Sequence, residues 1–315
     1  MIRILLVLFL AFLGNAPALT PAVAQLPMNV KRVVFLGDSI TYAGQYTAFV
    51  EAYYVTRHPG QRIEFINVGL PSETVSGLSE PGHAGGAFPR PDLHERLARV
   101  LAATQPDLVF VCYGMNDGIN LPFDEKRFDA FKKGIHDVHN AVLAVHAQVI
   151  HLTPPYYDAR KKNNPAYADT LDRYSQWLLD QRAQQWKVAD IHGPMTAFIE
   201  EKRKTEPTFA YATDGVHPND LGHWIMAKQI LLFLGAKDLE KAEDVSQMLA
   251  DNPNGLPILA LVRQREDMLK DAWLTSTKHL RPGMQTGLPM EEALKKSAEI
   301  QMQLDALLKK PVPAT

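Results

Sequence analysis

Cys112 is the only cysteine among 315 residues, so no internal disulfide can form and burial of apolar surface must hold the fold together. A chain of this length buries enough without a cross-link. Cys112 ends the apolar run Leu108-Val109-Phe110-Val111-Cys112, which suits a small core side chain better than a nucleophile. An excess of one charge is also missing. The formal net charge is −2, with no block of like charges, which removes any long-range pull toward nucleic acid or anionic membrane. There is no phosphate-binding glycine loop and no dinucleotide fingerprint. No apolar run reaches the roughly 20 residues that a bilayer span needs.

The apolar stretch Ile4 to Leu13 follows Arg3 and precedes Gly14, Pro17 and the small-x-small tripeptide Ala22-Val23-Ala24. A basic start, a short apolar stretch and a small-residue cleavage site predict a secretory signal peptide over 1–24. Export to the periplasm or beyond is the expectation, with no stable membrane span once the signal is removed. Arg3 is its only charge, so removal takes the net charge from −2 to −3.

From about residue 32 to 235 short apolar runs alternate with longer amphipathic ones. Arg32 to Leu36, Ile63 to Val68, Leu108 to Cys112, Val149 to Leu152 and Lys187 to Ile191 read as strands buried on both faces. Tyr46 to Thr56, Leu93 to Thr104, Phe123 to Val145, Tyr167 to Trp186 and Asp220 to Leu234 read as helices. That alternation predicts an α/β fold with a five-stranded parallel sheet and helices on both faces. After Gly235 no strand pattern remains. Lys237 to Ala250, Leu259 to Ser276 and Met290 to Lys309 read as helices, so 25–235 is expected to be the main domain and 236–315 a helical extension packed on it.

Ligand sites in such sheets lie beyond the carboxyl ends of the strands, and four segments there carry chemistry. The first strand runs into Gly37-Asp38-Ser39-Ile40, where Ser39 is either a nucleophile near converging backbone N–H groups or a helix cap. The second ends at Asn67-Val68-Gly69; Gly69 offers an unhindered N–H or is a plain turn glycine. The third ends at Tyr113-Gly114-Met115-Asn116-Asp117. There Asn116 can aim an amide at a developing oxyanion and Asp117 can tie the loop, unless the segment is only a turn. Before the last helix of the main domain stands Asp214-Gly215-Val216-His217-Pro218, in which Asp214 can orient His217 as a general base. Singly each is weak. Together, in this order, they point to acyl transfer.

Gly37-Asp38-Ser39-Ile40, Gly69, Gly114-Met115-Asn116-Asp117 and Asp214-Gly215-Val216-His217 resemble the four blocks of the SGNH (GDSL-like) esterase/lipase superfamily, in its bacterial exported form. The resemblance spans Val33 to Leu234. It implies a flavodoxin-like three-layer α/β/α fold, with Ser39 as nucleophile and His217 as base oriented by Asp214. It further implies oxyanion donors from the Ser39 N–H, the Gly69 N–H and the Asn116 side chain, and no metal or organic cofactor. One departure is that Leu70-Pro71-Ser72 follows Gly69 where many members have a second glycine. An α/β-hydrolase would instead carry a Gly-x-Ser-x-Gly elbow after a strand, and none occurs.

Further candidates border the expected cleft. In the Gly/Pro-rich stretch from Glu80 to Arg90, His83 and Arg90 are candidate substrate contacts. Tyr156, after the fourth strand, and Asp38 and Asp117 are others. His136 and His139, three apart on a helix, either share a metal or lie solvated, and no third ligand is spaced to join them. His223 reads as structural. The partner is expected to be a small-molecule or glycan ester, not nucleic acid, with carbohydrate O-deacetylation ahead of a short-chain ester or lysophospholipid. Two rival readings are a catalytically silent carbohydrate-binding protein on the same fold and C-terminal helices that dock a partner.

Overall fold

The computed structural model describes residues 25–27 and 29–309, so the expected signal peptide lies outside the described residues. Five strands form one parallel sheet: β1 (Arg32–Gly37), β2 (Glu64–Asn67), β3 (Leu108–Cys112), β4 (Gln148–Leu152) and β5 (Lys187–Ala189), in the order β2-β1-β3-β4-β5. The order reverses between β1 and β3, which places the cleft of a doubly wound sheet above that pair. Alternation along β1 shows the two-sided burial. Val33 and Phe35 enter one core and Val34 and Leu36 the other.

The helices are α1 (Ser39–Ala43), α2 (Gln45–Arg57), α3 (Leu97–Thr104), α4 (Glu125–Ala144), α5 (Ala159–Lys162), α6 (Pro165–Asp180), α7 (His192–Thr205), α8 (Asp220–Phe233), α9 (Val245–Leu249), α10 (Gly255–Thr277) and α11 (Met290–Lys309). Residues of α2, α7, α8 and α11 line the first core, and residues of α3, α4 and α6 the second. Helix α10 serves both: Ile258 and Val262 lie in the first, Ala272 and Trp273 in the second. It packs on α2, β2 and α3, so it passes the edge strand β2 and shields it, as edge strands require. Helix α10, with α11 packed on it, is therefore built into the sheet's flank.

Some elements depart from expectation. Helix α7 is not anticipated by the residue pattern, because Gly193 and Pro194 read as breakers. Both sit in its first turn, where backbone N–H groups have no intrahelical partner and proline costs nothing. The helix expected over Lys237–Ala250 is two pieces, a 3₁₀ turn at Lys237–Leu239 and α9. Asp244 caps the second by accepting from the Gln247 N–H. His136 and His139 are half-buried, and among the described residues no third ligand joins them to hold a metal. Their rings lie against Trp186 at 5.0 and 3.9 Å, and His139 Nδ1 is 3.1 Å from Nε2 of buried His151. His223 is buried and stacks on Tyr46. Cys112 is buried, and burial pushes its thiol well above the usual range.

Candidate active site

Ser39 begins α1 directly after β1, with its turn held by Asp38, whose carboxylate accepts from the Ile40 N–H at 2.9 Å. Ser39 Oγ lies 2.8 Å from His217 Nε2, and His217 Nδ1 lies 2.6 Å from Asp214 Oδ2. A carboxylate only accepts, so Nδ1 carries the hydrogen and Nε2 presents a lone pair to the serine hydroxyl. The other Asp214 oxygen accepts from the N–H groups of Val216 and His217, both at 2.9 Å. Burial pushes Asp214 upward, but the hydrogen bonds from His217 and the backbone prevail and hold it at about 2. It is therefore ionised across any working pH. Both His217 and Asp214 stay about half exposed, open to a substrate.

The loop bearing His217 is tied across the cleft. Asp158 donates its N–H to the Gly215 carbonyl at 2.9 Å, and its carboxylate receives Arg203 at 2.6 Å. Tyr156 was expected at the substrate. Its hydroxyl instead accepts from Arg203 at 3.2 Å and its ring meets Tyr211, which makes it a brace for this loop.

The opposite wall is built around Asn116. Its amide nitrogen donates to the Glu73 carbonyl at 3.2 Å and its oxygen accepts from Arg90 at 2.8 Å, which leaves one amide hydrogen for another acceptor. Beneath it Asp117 is fully buried and accepts from the N–H groups of Val75, Ser76 and Gly114 at 2.9, 2.8 and 3.0 Å. Burial lifts its carboxyl to about 6, against the pull of those N–H groups, and burial lifts Asp38 to about 7. The expectation that Asp38 and Asp117 contact substrate is thus corrected: both are sealed from solvent and hold backbone. Arg90 is corrected as well. Arg90 is buried on Glu80 and Asn116, while His83 faces Glu80 at 3.2 Å and packs edge-on to Phe88.

Gly69 is not free to donate either. Its N–H goes to Asn67 Oδ1 at 2.9 Å, and a Cβ there would sit 2.4 Å from the Tyr42 nitrogen, so close packing accounts for the glycine. Four residues on, Glu73 N–H closes a turn onto the Leu70 carbonyl at 3.2 Å, with Pro71 second and Ser72 third at φ 68°. That is a turn that favours glycine at its third position, and a serine held there is strained. The Ser72 N–H has no partner among the described residues. The turn lies beside Ser39, because Leu70 N–H bonds the Gly37 carbonyl at 2.9 Å. The missing glycine after Gly69 was the one sequence signal pointing here.

Support also comes from α10. Buried Glu266 accepts from Asn67 at 2.8 Å and from Thr47, while Asn67 in turn donates to the Thr41 carbonyl of α1 at 2.7 Å. Asp271 receives the Tyr42 hydroxyl at 2.8 Å. Next to the 70–73 turn lies a cavity of about 220 Å³ whose lining includes Leu70, Glu73, Phe88, Arg96 and Leu280. Among the described residues no group of three His, Cys, Asp or Glu side chains is placed to hold a metal ion.

A parallel sheet carrying a serine, histidine and aspartate in hydrogen-bonded series defines a hydrolase-type site, and comparison with known proteins identifies its class. Residues 35–225 match the GDSL-like Lipase/Acylhydrolase family, and the chain belongs to that family and is a carboxylic ester hydrolase. It is similar to an acetylxylan esterase of Geobacillus stearothermophilus, 26% identical over 225 residues, which are 65% of this chain and 94% of that one. Among solved structures, one of an acetylxylan esterase from the same organism aligns with a TM-score of 0.51 and 22% identity, over 66% of this chain and 95% of that one. A gut microbial diltiazem-metabolizing enzyme aligns with a TM-score of 0.56 and 24% identity, over 69% of this chain. This chain spans about half (48%) of that enzyme's length. These structural likenesses speak to the fold alone.

Proposed function

We propose that this protein is an exported serine esterase that removes acetyl groups from carbohydrate. The observation that carries the chemistry is the chain of hydrogen bonds from Ser39 Oγ through His217 to Asp214, at 2.8 and 2.6 Å. His217 Nε2 takes the serine proton as Oγ forms its bond to the ester carbonyl carbon. The resulting oxyanion is met by the Ser39 N–H, the remaining amide hydrogen of Asn116 and the Ser72 N–H, the last in place of Gly69. Each such donor is worth roughly 3 kcal/mol. Collapse of the tetrahedral species breaks the carbon–oxygen bond to the alcohol, which leaves with the proton from His217. Water then repeats the sequence on the acyl-serine and releases the acid. Asp214 keeps its charge throughout and steadies the imidazolium.

Carbohydrate is favoured by the likeness to an acetylxylan esterase, and export by the signal pattern over 1–24. Among the described residues no helix is long and apolar enough to cross a membrane. The test is to label the mature protein with a fluorophosphonate, map the adduct, and assay acetylated xylooligosaccharides beside long-chain acyl esters. A label on Ser39 with turnover of the acetylated sugar is expected. Turnover of long chains with acetylated sugar untouched would defeat the substrate assignment. An unlabelled, folded protein would favour a silent binding protein. N-terminal sequencing of protein recovered outside the cytoplasm should begin at Gln25.

A further inference from the structure

The segment from Ser79 to Pro91 lacks regular secondary structure apart from one 3₁₀ turn, and positive φ recurs at Gly82, Ala84, Gly85 and Gly86. Such a stretch has little of its own to hold it. Arg90 supplies the anchor. Its backbone N–H meets Ser79 Oγ at 2.9 Å. Its guanidinium forks onto Glu80, Nε to Oε2 at 2.6 Å and Nη2 to Oε1 at 2.7 Å, and the side chain is only 6% exposed. The same carboxylate takes His83 Nδ1 at 3.2 Å. One guanidinium nitrogen is left over, and it points at Asn116: Nη1 to Oδ1, 2.8 Å.

The chemistry of these groups makes that contact directional. A carboxamide has nearly the same shape either way round, so rotation by half a turn would put an oxygen where a donor is needed. A guanidinium has donors only, and therefore holds the amide by its oxygen. The Glu73 carbonyl accepts only, and therefore takes one hydrogen of the amide nitrogen, at 3.2 Å. With both ends specified, the second amide hydrogen has a fixed direction. Because Glu80 neutralises the Arg90 charge, the arginine acts through orientation more than through its field.

We infer that Arg90, anchored by Glu80, is a positioning residue for ester hydrolysis that sets which face of the Asn116 amide meets the oxyanion. The inference rests on the reading of Asn116 as an oxyanion donor. It assigns a reason to the Glu80–Arg90 loop, which among the described residues forms no hydrogen bond to the Ser39 or His217 side chain.

The test uses the full mature chain with p-nitrophenyl acetate, and compares Arg90→Met, Arg90→Lys, Asn116→Ala and the Arg90→Met/Asn116→Ala double variant. Outer-shell partners that orient metal ligands are worth roughly 10- to 100-fold in activity, and a comparable scale is expected here. Arg90→Met should lose about that much in kcat, with KM within about 2-fold. Arg90→Lys should recover part of it, since an ammonium still donates but cannot fork. In the Asn116→Ala background the Arg90→Met change should cost less than about 2-fold more, because residues acting through one contact are non-additive. Glu80→Gln serves if Arg90→Met fails to fold, and should show a smaller loss in kcat that also vanishes beside Asn116→Ala. Full additivity in the double variant, or a KM rise with kcat unchanged, overturns the inference. An active wild type with undiminished Asn116→Ala also overturns it. An inactive, unlabelled wild type brings down the esterase reading itself, and this one with it.

Discussion

His217 is held by a carboxylate three residues away, whereas Asn116 is held by groups 26 and 43 residues away. The two residues stand on different loops of one site and are built by opposite means. On the histidine side one turn of chain supplies the partner, and the side chains remain about half exposed. On the asparagine side two carboxylates, Asp38 and Asp117, lie fully buried with their oxygens on backbone N–H groups, and an arginine is sealed against a glutamate. The difference fits the roles proposed for the two residues. A general base has to meet solvent and move protons, while an oxyanion site works because its dipoles are fixed before the reaction. The partner of the base is therefore local and open to solvent, on a loop braced from Asp158 and Arg203, whereas the partners of Asn116 are remote and closed off.

That contrast can be broken by substitution, beginning with the largest effect. Ser39→Ala should lower kcat by roughly 10⁴-fold or more, and Asp214→Asn by about 10³- to 10⁴-fold, the scale seen when such units are dismantled. Both should leave the unfolding free energy within about 0.5 kcal/mol, because the removed groups sit at the surface. Thermal unfolding beside steady-state kinetics checks this; a large loss of stability in Asp214→Asn would remove the contrast.

Asp117→Ala should do the reverse in kind. It orphans the N–H groups of Val75, Ser76 and Gly114, and should cost about 2–4 kcal/mol of stability together with activity. Denaturant titration measures it, and a variant as stable as wild type would show that the buried wall is not rigidified by this carboxylate.

Burial raises Glu266 to about 8, against the hydrogen bonds of Thr47 and Asn67. Its folded form thus keeps a proton that the unfolded chain, with an ordinary glutamate near 4.5, has already released. The stability it contributes is complete below about pH 4.5 and is lost as pH rises through about 8. Asp38 and Asp117, raised to about 7 and about 6, act in the same direction. The melting temperature should fall between about pH 5 and 8.5, and Glu266→Gln should flatten part of that fall. A slope unchanged in Glu266→Gln would mean that this carboxyl is ionised in place.

The smallest effect expected is at Ser72. Replacing it with glycine relieves a left-handed backbone and should stabilise the fold by up to about 1 kcal/mol, net of the greater freedom of glycine when unfolded. Activity should persist, since the N–H is retained. A loss of activity in Ser72→Gly would instead implicate the hydroxyl.

The amino-acid sequence by itself determined the parallel α/β layering, because strands buried on both faces are continuous apolar runs. It also determined the Ser39, His217 and Asp214 grouping, since Asp214 and His217 are adjacent in one loop and Ser39 follows a strand end. Its errors cluster where burial or a hydrogen bond has already claimed the group. Gly69 had the signature of a free donor until Asn67 took its N–H, and Asp38, Asp117 and Arg90 had the chemistry of substrate contacts until burial gave each another task. Helix α7 was hidden because proline in a first turn looks the same in one dimension as proline that ends a helix. The tertiary structure alone decided that the Ser72 N–H stands beside β1 without a partner among the described residues, that Arg90 meets Asn116, and that Glu266 of α10 braces Asn67 behind Ser39. Hydrogen bonds between residues tens or hundreds of positions apart depend on how the layers dock, and no local pattern of side chains encodes that docking.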